Sequence, residues 1–281
     1  MKCKYCFMRF PQGKPKALTL SYDDGVQQDE KLIGLMEKYG FKGTFNVSFG
    51  CICPEGKVYA PGRVHRPMTL NEMKRVYDTD CVEIAIHGFN HPYLERLAPS
   101  VAMREVYDDR VNLEREFGGV IRGMAYPYGT YNDQVVDILR GCGVRYARTT
   151  QSTRAFDLPQ DWLRLHPTCH HKDPRLMELA EEFASMQVKM EPKLFYLWGH
   201  SYEFEQVDNW NVIEEFFEAM TDKEDIWYAT NIEIYDYIKA FERLQFSCNG
   251  KRAFNPSAMD VWVAYGESDV CIPAGKTIEL E

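Results

Sequence analysis

The stretch Ala17-Leu18-Thr19-Leu20-Ser21-Tyr22-Asp23-Asp24-Gly25 decides the fold class. Residues 17–21 form a short apolar run of strand character. Two adjacent carboxylates close it, and a glycine lets the chain turn. The same grammar recurs along the chain. Strand-like runs are expected at 17–21, 43–48, 82–87, 123–126, 144–148, 194–199 and 226–229. Several are nearly continuous in apolar residues, as in parallel strands buried on both faces. Helical patterns fill the gaps at 28–39, 70–77, 100–117, 133–141, 174–190, 212–220 and 232–244. Thr69 to Glu72 has capping-box form. Asn132 is a candidate cap for the helix at 133–141, with Gly141 to close it. Repeated β-α alternation predicts an α/β architecture with a parallel sheet.

The pattern changes near residue 244. Residues 244–248, Asn249-Gly250 and 253–254 read as strand, tight turn and strand. Residues 261–265 and 270–272, around 266–269, read as a second hairpin. The expected division is a domain at 1–244 and a small β appendage at 245–281.

Composition narrows the classes. The 281 residues are 45% hydrophobic and 27% charged, as in ordinary globular proteins. A net charge of −9 argues against a nucleic-acid partner, which needs clustered Lys and Arg. The nine cysteines are odd in number and scattered, unlike a disulfide framework, which suggests a reducing, cytoplasmic setting. No apolar run is long enough for a signal-peptide core or a membrane span.

Chemistry-bearing residues gather at strand ends. In a regular strand Asp23 and Asp24 would point to opposite faces. A turn at Gly25 would let both serve one pocket at the C-terminal edge of the sheet, where α/β folds place their sites. A plain Asp-Asp-Gly turn capping the next helix is the competing reading. His87-Gly88-Phe89-Asn90-His91 has metal-ligand spacing, and Asp24 is the anion that would complete two imidazoles. Two surface histidines in a loop are the alternative. His200 ends the strand at 194–199 and is suited to proton transfer near neutrality. The tract His166-Pro167-Thr168-Cys169-His170-His171 suits a pocket wall, a second metal site or an ordinary loop. Cys3-x-x-Cys6 with Cys51-x-Cys53 reads as a structural zinc site or as free thiols; the second spacing is too short for the usual knuckle, which favours free thiols.

In order and character, Asp23-Asp24-Gly25, His87 to His91, Tyr126-Pro127-Tyr128-Gly129 and His200 resemble the NodB-homology polysaccharide deacetylases, carbohydrate esterase family 4. The resemblance covers roughly residues 17–242. It implies a distorted, incomplete (β/α) barrel of parallel strands. It implies hydrolysis of N-acetyl groups from an amino-sugar-containing oligo- or polysaccharide. It implies Asp23 as general base, His200 as general acid and the Tyr128 backbone N–H in the oxyanion hole. It implies Asp24, His87 and His91 as ligands of one divalent ion, zinc foremost, with cobalt or another divalent ion as options. The family commonly has an Arg at the position of Ala125, tethering the catalytic Asp. Arg148, at the end of the next strand, is the expected substitute for that tether and is grouped with the candidate substrate-binding residues. The pair Asp161-Trp162 is the nearest echo of the motif whose acid orients the catalytic His. Trp198, Trp162 and His170 are candidates for substrate contact, since sugar faces stack on aromatic rings. The partner expected is an N-acetylated glycan. The rival readings are hydrolysis of another non-peptide C–N bond, in a ureide or cyclic amide, and a silent carbohydrate-binding protein.

Overall fold

The computed structural model describes residues 5–280. Its strands are β1 (Cys6–Arg9), β2 (Lys16–Asp23), β3 (Gly43–Val47), β4 (Val82–Ile86), β5 (Gly123–Ala125), β6 (Tyr146–Arg148), β7 (Cys169–His170), β8 (Lys193–Gly199), β9 (Ile226–Tyr228), β10 (Gln245–Phe246), β11 (Arg252–Phe254), β12 (Val261–Tyr265), β13 (Ser268–Ile272) and β14 (Thr277–Glu279). The helices are α1 (Asp29–Tyr39), α2 (Leu70–Val76), α3 (Pro99–Phe117), α4 (Asp133–Gly141), α5 (Leu176–Ser185), α6 (Tyr202–Gln206), α7 (Asn211–Met220) and α8 (Asn231–Glu242).

Strands β2 to β9 form one parallel sheet in the order β6-β5-β4-β3-β2-β8-β7, and β9 also pairs with β2. The edges β6 and β7 curl toward one another. Leu165 hydrogen-bonds to the β6 backbone at Ala147 and Thr149, and Thr168 and His171 donate to Tyr196 and Trp198 of β8. The segment 165–171 thus spans the gap of an incomplete α/β barrel.

The alternation in β2 explains where the site forms. Leu18, Leu20 and Tyr22 join the main apolar cluster with Leu32, Ile33 and Met36 of α1. Thr19, Ser21 and Asp23 take the opposite face. Thr19 donates to Asn231 Oδ1 at 3.0 Å, and Asn46 Nδ2 donates to Ser21 Oγ and Asp23 Oδ1, each at 2.9 Å. Every buried polar group in this row has a partner, which is the condition for keeping it inside. The polar row leads up the strand to the carboxylate at its end.

Local signals are obeyed. Thr69 and Glu72 form the reciprocal capping box, and Asn132 accepts from Val135 N at the start of α4. Gly141 is the last residue of α4, and the left-handed turn falls instead on Gly143. Both expected hairpins are present, as β10–β11 and β12–β13. Two further strands extend these hairpins. β14 pairs with β11, and β1, from the opposite end of the chain, pairs antiparallel with β12. No described helix is long and apolar enough to cross a membrane. Cys3 lies outside the described residues, and neither candidate metal cluster among the described residues contains a cysteine.

Candidate active site

Strand β2 ends at Asp23, and Asp24 takes φ 80°, followed by Gly25 at φ 60°. The left-handed step breaks the strand alternation, so the two carboxylates turn into one space. An Asp tolerates this conformation better than most side chains. Gly25 suits the same conformation because it has no Cβ, and a Cβ there would also sit 2.4 Å from Met73 Cε.

The loop after β4 carries the histidines. Its entry is held from α3: Asp109 accepts from Phe49 N at 2.7 Å and His87 N at 2.9 Å. Glu105, one turn earlier, accepts from Asn90 N and Asn90 Nδ2, both at 2.7 Å. His87 Nδ1 lies 2.8 Å from the carbonyl of Ala125. A carbonyl only accepts, so the proton sits on Nδ1 and the Nε2 lone pair faces the site. Ala125 therefore acts through its backbone. His91, at φ 53°, brings its Nε2 within 3.1 Å of His87 Nε2. Asp24 Oδ1 is 3.9 Å from each of these nitrogens.

Two imidazole nitrogens and a carboxylate oxygen so spaced fit a divalent cation. Ligand bonds of about 2.0–2.1 Å in a tetrahedral array set donor atoms about 3.3 Å apart. Protonation states agree with that use. Burial and the neighbouring His87 push His91 down to about 4, so it is neutral at physiological pH. Burial acts upward on Asp24, but the His65 hydrogen bond and the nearby imidazoles hold it well below the usual carboxylate range.

Asp23 is buried beside this trio, with Oδ2 3.9 Å from His87 Nε2 and 3.8 Å from His200 Nε2. Arg148 Nη2 donates to Oδ2 and Asn46 to Oδ1. Burial alone would raise this carboxyl; Arg148, His87 and His200 outweigh it and keep it low and charged. Arg148, expected to replace the tethering Arg and grouped with the substrate contacts, is wholly buried, its guanidinium 4.3 Å above the Trp198 ring. Its position is that of a tether for Asp23. Arg122 pairs with Asp236 and takes no part.

Other expectations fall differently. Tyr128 adopts φ 58° beside His91, and its half-exposed ring stacks on Tyr93 at 3.9 Å between centroids. Trp198 is largely buried between Arg148 and His170, so it backs the site rather than flooring it. Trp162 packs edge-on to Tyr235. Asp161 accepts from Leu163 N and pairs with Arg164, so it does not hold His200. His166 Nδ1 meets Thr149 Oγ1 at 2.6 Å, apart from the other histidines. His170 and His171 instead converge with His200 on Glu203.

Sequence reasoning passed over four residues here. His65 lies 3.4 Å from Asp24 Oδ2. Its loop is pinned by Arg66 on Glu205 and by Met68 N on the Gly25 carbonyl. Asp29 links the two strand ends, accepting from Val26 N, Tyr77 OH and Ser201 Oγ. Asn46 and Glu203 complete the set. Their signals were weak but present: Asn46 stands in β3 in register with Asp23, and Glu203 stands three residues after His200.

Gly199 must be small for the same cluster. A Cβ there would lie 2.1 Å from Nδ1 of the buried His171. Gly199→Ala should cost about 1–3 kcal/mol by overpacking. Urea unfolding of the variant checks it, and an unchanged midpoint would mean the ring moves aside freely.

Residues 11–147 match the family model described as polysaccharide deacetylase. A Mycobacterium smegmatis structure assigned to the polysaccharide deacetylases aligns over 84% of this chain and 94% of its own, at 15% identity and TM-score 0.61, and shows the same fold. A Streptococcus pyogenes deacetylase in complex with acetate shares 26% identity over 47% of this chain, with TM-score 0.41. The chain spans about half of that protein, 55% of its length. A family 4 carbohydrate esterase from Streptomyces lividans aligns at 12% identity over 77% of this chain and 93% of its own, with TM-score 0.49. No curated protein sequence matches the chain. Over residues 11–147 the chain is similar to the polysaccharide deacetylases, and its fold is the one seen in the Mycobacterium smegmatis structure. That likeness agrees with the resemblance to the NodB-homology polysaccharide deacetylases read from the motifs.

Proposed function

We propose that this protein removes N-acetyl groups from an amino-sugar-containing oligo- or polysaccharide, with a divalent ion, zinc foremost, held by Asp24, His87 and His91. The observation that carries the reading is the meeting of that three-donor trio with Asp23 and His200 at the strand ends, where Asp23 lies within 4 Å of both His87 and His200. Asp23, charged and low in basicity, is the general base that takes a proton from the attacking water. A bound divalent ion supplies the Lewis acidity that matches water to so weak a base. Asn46 and Arg148 fix the carboxylate so that one oxygen faces the reacting atoms. His200 Nε2 points into the same space and delivers the proton to the departing amine. The Tyr128 N–H is our candidate donor to the oxyanion of the tetrahedral intermediate. No nucleophilic side chain is required. The scattered cysteines favour a cytoplasmic setting, and soluble N-acetylated oligosaccharides are the substrates we favour there.

The test couples metal analysis to acetate release from a panel of N-acetylated glycans and small cyclic amides. We expect one divalent ion per chain and acetate from the glycans. Chelation should abolish release, and zinc or cobalt should restore it. Full activity in chelator would overturn the metal-dependent reading, and turnover of cyclic amides alone would overturn the substrate class.

A further inference from the structure

We propose that Glu203 positions His200 for proton transfer, held in a cradle of His170, His171 and Lys172; this rests on the reading of His200 as the acid of the site. His200 follows β8 directly, with its two ring nitrogens in different surroundings. Nε2 faces Asp23 at 3.8 Å. Nδ1 is cut off from solvent, makes no hydrogen bond, and lies 3.4 Å from Glu203 Oε2. A buried nitrogen beside an anion gains by carrying the proton. The Nδ1–H form leaves Nε2 as the nitrogen that exchanges its proton with the site.

Glu203 is over-determined. It lies in the first turn of α6, a helix of five residues that by itself fixes little. Lys172 Nζ holds Oε1 at 2.6 Å, and His170 Nε2 and His171 Nε2 face Oε2 at 3.2 and 3.1 Å. The backbone N–H of Lys172 donates to His170 Nδ1 at 3.0 Å, which leaves the His170 proton on Nε2, aimed at Glu203. The His171 ring is buried against Tyr22 and Phe204 and cannot swing away. Burial opposes the charge on Glu203, but three imidazoles and an ammonium more than offset it and keep the group anionic. Burial also acts downward on His200, while Glu203 and Asp23 raise it.

His170, His200 and Glu203 also have the spacing of a cation site. The Lys172 contacts argue against that use. Its backbone N–H takes the Nδ1 lone pair of His170, and its ammonium already neutralises the carboxylate. The role expected of Asp161 thus passes to a residue one helical turn beyond the histidine it serves.

The experiment uses the zinc-loaded full chain and its Glu203→Gln and Glu203→Asp variants. Nitrogen NMR on histidine-labelled protein, at a pH where the His200 ring is neutral, should show the Nδ1–H tautomer in the native chain and a mixture in Glu203→Gln. This readout needs no substrate, so it stands even if acetate release fails. With an active glycan, Glu203→Gln should lower kcat by about 100-fold or more, by analogy with other carboxylate–histidine pairs. KM and metal content should hold, and Glu203→Asp should recover part of the rate. An unchanged tautomer, a kcat within about twofold of native, or a second zinc per chain that is lost in Glu203→Gln would overturn the proposal.

Discussion

Asp23→Asn should keep its metal and lose about 1,000-fold in kcat, within the range that a positioned general base contributes. The substitution is nearly isosteric. Its amide oxygen still accepts from Asn46 or Arg148, and the trio of Asp24, His87 and His91 is untouched. What vanishes is the ability to take a proton. A thousandfold loss is about 4 kcal/mol of transition-state stabilisation at 1.36 kcal/mol per factor of ten. The measurement pairs elemental metal analysis with acetate release, and circular dichroism confirms that the variant is folded. The contrast is with Asp24→Asn, whose weaker ligand should release the ion. If Asp23→Asn also loses the ion, Asp23 belongs to the coordination set and the roles of the two aspartates must be exchanged. The geometry argues otherwise, because Asn46 and Arg148 already occupy both oxygens of Asp23.

Most of the barrel was legible because its strands announce themselves. The run 194–199 is apolar on both faces, and only a parallel sheet covered on both sides calls for that. The strands that escaped lack such a signal. β7 has two residues and pairs through His170 and Cys169, whose identities carry no period. β1 finds its partner some 250 residues away, and nothing local in Cys6–Arg9 points to Val261–Tyr265. The site was legible where it repeats a spacing, as in His87 to His91, and where strand alternation singled out Arg148 rather than Arg122. It was illegible where a single loop residue reaches across, as His65 does to Asp24. The positive φ of Asp24 could not be read either. The sequence says a turn follows, but which residue takes the left-handed step depends on packing against Met73 and Asn46. Asp161 misled because a motif fragment was matched without its register. Glu203 was overlooked because a carboxylate three residues after a histidine is commonplace until a buried Nδ1 is seen beside it.

Arg148 should be the most costly polar residue of the site to remove. It is fully buried, its Nη2 is bound to the buried Asp23, and its flat face lies under Trp198. Deleting one partner of such a pair leaves a charge with neither water nor counterion, at a cost of about 3–5 kcal/mol. Arg148→Met, which replaces most of the stem, isolates the electrostatic part from a cavity. We expect it to destabilise the zinc-loaded chain by that amount in urea unfolding and to slow acetate release while metal content holds. Arg148→Lys should recover only part, because an ammonium lacks the planar fork and does not stack on Trp198 in the same way. The decisive comparison is the double variant Arg148→Met with Asp23→Asn. Removing both charges relieves the unpaired carboxylate, so the double variant should be more stable than the sum of the single losses by about 1–3 kcal/mol. Strict additivity would mean that Arg148 is held by packing against Trp198 alone. The tether would then have to be sought in Asn46, whose Nδ2 reaches the other oxygen of the same carboxylate.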